Sequence, residues 1–140
     1  PEIQMDDANI DAMTMWLLKN PFNYDVIVAP NLYGDIISDL CAQMVGGLGF
    51  GCSGNIGDNL AVFEPTHGSA PKYSGLNKVN PIATVLAAQM MLDWLGEPEK
   101  GSAIVRATAE VIKEGKVRTY DMNGSNTTTQ MAQAIASKLR

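Results

Sequence analysis

The sequence predicts an α/β fold on three observations. A β-branched apolar run at 24–29 (Tyr-Asp-Val-Ile-Val-Ala) follows a helical pattern directly. Strand and helix signals then alternate along the chain. Two loops, at 46–60 (glycine-rich and without periodicity) and at 66–79, are long for connections in a compact domain, which marks them as ligand-binding loops.

The elements are expected in this order. Asp7 to Lys19 forms a helix, capped by Asp6 or Asp7, stopped by Pro21, and apolar along Ile10, Met13 and Leu17. The run at 24–29 is a buried strand. Pro30, Asn31 and Gly34 mark a turn, and a helix from Asp35 to Val45 ends at Gly46-Gly47. Residues 46–60 are a loop, Leu60 to Glu64 a short strand, and His67 to Lys78 a second loop. Asn80-Pro81 starts a helix that reaches Leu95 and stops at Gly96. It is apolar on most sides and therefore expected to be deeply buried. Ser102 caps a helix to Glu114, 117–119 is a short strand, and a final helix runs from Thr127 to Leu139. So few strands are a piece of a sheet.

Composition narrows the function. The chain has 140 residues, 46% hydrophobic and 18% charged, with net charge −5. That suits a globular core. The cations are scattered singly, so nucleic acid and anionic membrane are not expected partners. No apolar stretch is long enough to span a bilayer, and residues 1–4 do not read as a signal peptide. Cys41 and Cys52 fit no metal or redox spacing and are expected as reduced thiols. With no secretory signal, the glycosylation triplets at Asn123 and Asn126 carry no weight.

Four local features bear on chemistry. Gly49 to Gly54 fits the letters GxGxxG, yet that fingerprint needs a strand before it and a helix after it, and neither is expected here. Asp35 and Asp39 lie four apart in a helix, so their carboxylates share a face and suit a hard divalent cation, although solvated surface acids share that spacing. Their place, directly after a buried strand, is where open α/β sheets bind ligands. His67 is the only histidine, and a lone loop histidine is more often incidental than catalytic. Lys72-Tyr73 pairs a cation with an aromatic ring and could serve a nucleotide phosphate.

Three segments resemble one family in order. Asn31-Leu32-Tyr33-Gly34-Asp35-Ile36-Ile37-Ser38-Asp39-Leu40 is similar to a signature of the isocitrate/isopropylmalate dehydrogenases. So is Glu64-Pro65-Thr66-His67-Gly68-Ser69-Ala70-Pro71-Lys72-Tyr73-Ser74-Gly75 followed by Asn80-Pro81. The stretches 46–49 and 53–58 resemble the isocitrate branch more than the isopropylmalate branch. The resemblance runs from about Asp6 to Tyr120.

It implies a partial fold of that family's type, a three-layer α/β/α arrangement distinct from the Rossmann fold, here as a carboxy-terminal fragment. Residues 1–45 would belong to the small, dimer-forming domain and 46–140 to the large cofactor-binding domain. Asp35 and Asp39 would bind Mg²⁺ or Mn²⁺ together with Asp11 reaching in from a partner subunit. The family's metal is a Lewis acid for hydride transfer from a hydroxy acid to the nicotinamide and for the loss of CO₂ that follows. His67, Gly68, Lys72 and Tyr73 would embrace the adenosine end of the cofactor. Asn80 would meet the adenine, and Glu64 and Thr66 would lie towards the nicotinamide.

Within the family, Lys72-Tyr73 points to NADP, with NAD as the alternative, because NAD-using members carry an acid and an aliphatic residue there. Tyr120 would add a donor to the 2′-phosphate. Where bacterial NADP enzymes place an arginine four residues beyond that tyrosine, this chain has Gly124. The family's substrate arginines and proton-transferring Tyr and Lys would lie upstream, leaving no catalytic residue of this kind here and no activity in residues 1–140 alone. The implied whole is a homodimeric or larger cytoplasmic or mitochondrial-matrix enzyme of the tricarboxylic acid cycle. Isopropylmalate, homoisocitrate or tartrate are alternative substrates, and a non-catalytic regulatory homologue is the alternative class.

Overall fold

The computed structural model describes residues 3–139. Helices α1 (Ile10–Lys19) and α2 (Asn31–Met44) pack on each other and bury Leu17, Ile37 and Ala42. A hairpin of β1 (Cys52–Ile56) and β2 (Ala61–Pro65) lies on α3 (Ile82–Trp94). Helix α4 (Pro98–Glu114) packs on α3, and α5 (Thr128–Ala136) packs on α4.

The core sits where these last three helices meet. Ile82, Ala107, Val111, Met131 and Ile135 are buried there, with Phe50, Val85 and Leu86 against them. Each large side chain buried this way contributes roughly 1.5–3 kcal/mol. α5 begins with a capping box in which Thr127 accepts from the Gln130 backbone and Gln130 accepts in return. α4 ends at Gly115, whose φ of 63° is the left-handed conformation of a helix C-cap.

The hairpin is antiparallel, with Cys52 opposite Pro65 and Ile56 opposite Ala61. The loop 46–60 therefore contains a strand that composition concealed, since Cys-Ser-Gly-Asn-Ile has little β-propensity. Cross-strand fit explains it. Gly54 lies opposite Phe63, and a β-carbon there would come within 3.0 Å of the Phe63 ring. That space lets Phe63 tilt against Trp94 of α3, with ring centroids 6.3 Å apart. Gly57 N–H donates to the Leu60 carbonyl (2.9 Å) and closes the turn.

Other expectations need correction. Residues 24–29 form no strand. They find no ladder partner, and Val26 and Val28 are 83% and 93% exposed. The apolar run reads as a buried strand only where neighbouring strands and covering helices exist, and the two strands described here pair with each other. Helix α2 starts at Asn31, not Asp35, because Pro30 occupies the cap and its carbonyl takes the Gly34 N–H (2.8 Å). α1 starts at Ile10, so Asp6 and Asp7 do not cap it. α4 starts at Pro98, where proline suits the first turn, and Ser102 lies inside it. Residues 117–119 form no strand; Thr119 is buried and leads into a 3-10 turn at Tyr120–Met122. α3 is buried only along Ile82, Ala83 and Ala87, while Trp94 and Leu95 are 42% and 57% exposed.

Candidate functional site

Two groups of candidate residues lie on separate elements. Asp35 and Asp39 are exposed on successive turns of α2. Because the helix begins at Asn31, Asp35 lies beyond its first turn, where the N-terminal partial charge has faded, so carboxylate repulsion is relieved less than the sequence implies. Asp11 stands in the first turn of α1, where its Oδ1 accepts from the Ala12 N–H (2.8 Å). Among the described residues, no three carboxylate, histidine or cysteine side chains gather closely enough to hold a metal ion. Asp11 of the same chain thus does not complete the Asp35–Asp39 pair. Two hard oxygen donors on one face fit part of a Mg²⁺ or Mn²⁺ shell and leave further ligands to come from elsewhere.

The second group surrounds the loop from Thr66 to Asn80. Thr66 is tied to the start of β1, its N–H and its hydroxyl both donating to the Gly51 carbonyl (3.0 and 3.2 Å). Glu64, exposed on β2, accepts from the Asn55 amide (3.2 Å). His67 Nδ1 lies 2.8 Å from the carbonyl oxygen of Gly68. Gly68 is exposed, and a β-carbon there would meet nothing within 4 Å.

Lys72 and Tyr73 share a 3-10 turn, Pro71–Tyr73. The Tyr73 and Tyr120 rings face each other with centroids 5.5 Å apart, although 47 positions (120 − 73) separate them in sequence. Lys72 Nζ stands 4.9 Å from the Tyr73 ring centroid. A hydrogen bond from the Tyr120 hydroxyl, then the Lys72 ammonium, holds the Tyr73 phenol below its ordinary pKa, and the same contact pushes Tyr120 up. The structure thus brings together Lys72, Tyr73 and Tyr120, a trio with cationic and hydroxyl donors that suits a phosphate.

Asn80 is buried, and both ends of its side chain are committed. Oδ1 accepts from the Ile82 N–H (3.0 Å), so Asn80 caps α3, and Nδ2 donates to Asp121 (2.9 Å). Its side-chain amide is therefore a fastener between the loop and the Tyr120 turn. Sequence reasoning missed Lys78, whose ammonium lies 4.8 Å from the Tyr120 centroid. Its lysine-plus-aromatic signal is spread over distant positions. The GxGxxG letters at 49–54 run from a turn into β1, with no strand before and no helix after. Both cysteines are free, and burial raises the Cys52 thiol pKa.

Residues 1–135 match the family described as isocitrate/isopropylmalate dehydrogenase. The chain is 51% identical over 140 residues to the mitochondrial NAD isocitrate dehydrogenase catalytic subunit 5 of Arabidopsis thaliana, covering 99% of this chain and 37% of that protein. It is 46% identical to an isocitrate/homoisocitrate dehydrogenase of Thermus thermophilus, covering 100% of this chain and 42% of that one. The crystal structure of isocitrate dehydrogenase from Methylococcus capsulatus superposes with a TM-score of 0.89 at 43% identity, over 94% of this chain and 39% of that one. The chain thus spans about two fifths of these relatives.

Proposed function

Since the chain belongs to the isocitrate/isopropylmalate dehydrogenase family, we propose that it forms part of a longer enzyme that oxidatively decarboxylates isocitrate to 2-oxoglutarate, using Mg²⁺ or Mn²⁺ and preferring NADP to NAD. In this reading residues 1–45 belong to a small dimer-forming domain and 46–140 to a large cofactor domain. The observation that carries the cofactor preference is the grouping of Lys72, Tyr73 and Tyr120 beside the Thr66–Asn80 loop. The Arabidopsis relative is named as an NAD enzyme, so the preference rests on these side chains and not on likeness.

Asp35 and Asp39 of one subunit, with Asp11 of its partner, would hold the metal. A divalent ion held there would supply Lewis acidity to the substrate, and a bound nicotinamide would be the hydride acceptor. Lys72, Tyr73 and Tyr120 orient the adenosine end, and Asn80 keeps the loop fixed to α3 and to Asp121. Glu64 and Thr66 line the approach to the nicotinamide in this reading, with His67 and Gly68 against the adenosine. No proton-transferring residue is assigned within this chain, so residues 1–140 alone should not reduce NADP⁺.

The intact assembled enzyme tests this. It should reduce NADP⁺ with isocitrate and Mn²⁺, and Asp39→Asn should abolish that turnover with the circular dichroism spectrum preserved. A rate unchanged by Asp39→Asn at limiting Mn²⁺ sinks the metal assignment. A kcat/KM favouring NAD⁺ sinks the cofactor preference.

A further inference from the structure

Lys78 lies between two residues that are fastened to the start of α5. Thr128 N–H donates to the Asn77 carbonyl (2.9 Å), and Thr129 N–H and hydroxyl both donate to Asn77 Oδ1 (3.1 and 3.0 Å). Thr128 hydroxyl donates to the Val79 carbonyl. The backbone that carries Lys78 is therefore held from both sides, and its side chain leans over the two phenols, 4.8 Å from the Tyr120 centroid and 5.8 Å from that of Tyr73. With Lys72 on Tyr73, two ammonium groups stand against one pair of rings.

The same lysine lines an open pocket of about 390 Å³ with Tyr120, Gly124 and Ser125. Gly124 contributes no charge and has no room for any side chain. A β-carbon there would stand 2.1 Å from the Arg118 carbonyl oxygen. A cation for this pocket must come from another wall. The adjacent carboxylate, Asp121, accepts from the Asn80 amide and the Thr119 hydroxyl, and among the described residues it forms no ion pair with Lys78.

We infer that Lys78 is a second specificity-determining cation of the Lys72–Tyr73–Tyr120 cluster, and that it discriminates a 2′-phosphorylated adenine dinucleotide from one with a free 2′-hydroxyl. This rests on the reading of the loop as an NAD(P) site. A phosphate monoester carries close to two negative charges near neutral pH, so a single lysine leaves one uncompensated. Lys78 supplies the missing charge from the lining of the same pocket, with an ammonium on a flexible stem that can leave the phenol faces for phosphate oxygens.

The test is equilibrium binding to the intact protein without hydroxy acid, by calorimetry. The probes are NADP⁺, NAD⁺, adenosine 2′,5′-bisphosphate and AMP. Lys78→Met should weaken NADP⁺ and the bisphosphate about tenfold, as expected for one charge-assisted contact, and leave NAD⁺ and AMP within about twofold. Lys78→Arg should retain the preference. Equal weakening of all four probes, or of none, overturns the role of Lys78. If Lys72→Asp with Tyr73→Ile abolishes the preference and Lys78→Met does not, the site reading stands and the Lys78 inference falls. A parent protein that binds the bisphosphate no more tightly than AMP overturns both.

Discussion

Asn80 donates from its side-chain amide to the Asp121 carboxylate at 2.9 Å, a bond between residues 41 positions apart, while its Oδ1 holds the Ile82 N–H at 3.0 Å. One buried side chain thus starts α3 and fixes the turn that carries Tyr120. Asn80→Ala removes the cap and leaves Asp121 short of a donor. It should destabilise the intact protein by about 1–3 kcal/mol in urea unfolding. Asn80→Asp keeps the cap acceptor but sets two carboxylates together, so its deficit should shrink as pH falls through the carboxylate range. A pH-independent deficit would contradict the contact.

Gly124 and Gly68 form a matched pair for a second test. A β-carbon at 124 meets the Arg118 carbonyl oxygen at 2.1 Å, and one at 68 meets nothing within 4 Å. Gly124→Ala must shift backbone and should cost more than about 2 kcal/mol, whereas Gly68→Ala should stay within about 0.5 kcal/mol. Similar melting temperatures for the two variants would show that the backbone at 124 yields freely.

The tyrosine pair should titrate apart. Tyr73 is held below the ordinary phenol value of 10.0 by the Tyr120 hydroxyl and then by Lys72, and Tyr120 is raised by Tyr73. For an acid with a depressed folded pKa, the favourable contribution is complete above the unfolded value and is lost as pH falls through the folded one. The window therefore lies just below pH 10. The difference spectrum at 295 nm between parent and Tyr73→Phe should show a phenol ionising below 10, and Lys72→Met should move that step up. A step that Lys72→Met leaves in place would refute the contribution of Lys72.

Lys138 bonds to Glu110 at 3.3 Å and, more closely, to Glu114, which joins the end of α5 to the end of α4. Lys138 holds the Glu114 carboxyl below its ordinary 4.5. This contribution is present above that value and disappears as pH falls through the lowered one. Lys138→Met should lower the melting temperature slightly at pH 7, and the difference should vanish in acid and in high salt, because exposed pairs are screened. A difference that persists in molar salt would assign the effect to packing of the lysine stem.

Local signals were legible where a single residue type dictates local backbone. Asn80-Pro81 and Gly115 mark their helix ends close to where they fall. The Lys72–Tyr73 pair is adjacent in sequence and stands together in space. The rest depends on partners. Val26 and Val28 have the composition of a buried strand, but a ladder needs a neighbour, and among the described residues none pairs with them. β1 has weak composition and forms because Gly54 makes room for Phe63. Lys78 was illegible because Tyr120, and the α5 threonines that fasten the residues on either side of it, are distant in sequence.

The threonine contacts of α5 to Asn77 and Val79 also set an order of events. They join positions about fifty apart, 52 in the case of Thr129 and Asn77. A chain emerging amino-terminus first completes β1, β2 and α3 before Thr128 and Thr129 exist. The Lys78 segment must therefore wait for α5, and closing so long a loop is among the slower steps of folding. The pocket beside Tyr120 is a late product of folding, and trimming or loosening α5 would be felt there before it reached the hairpin.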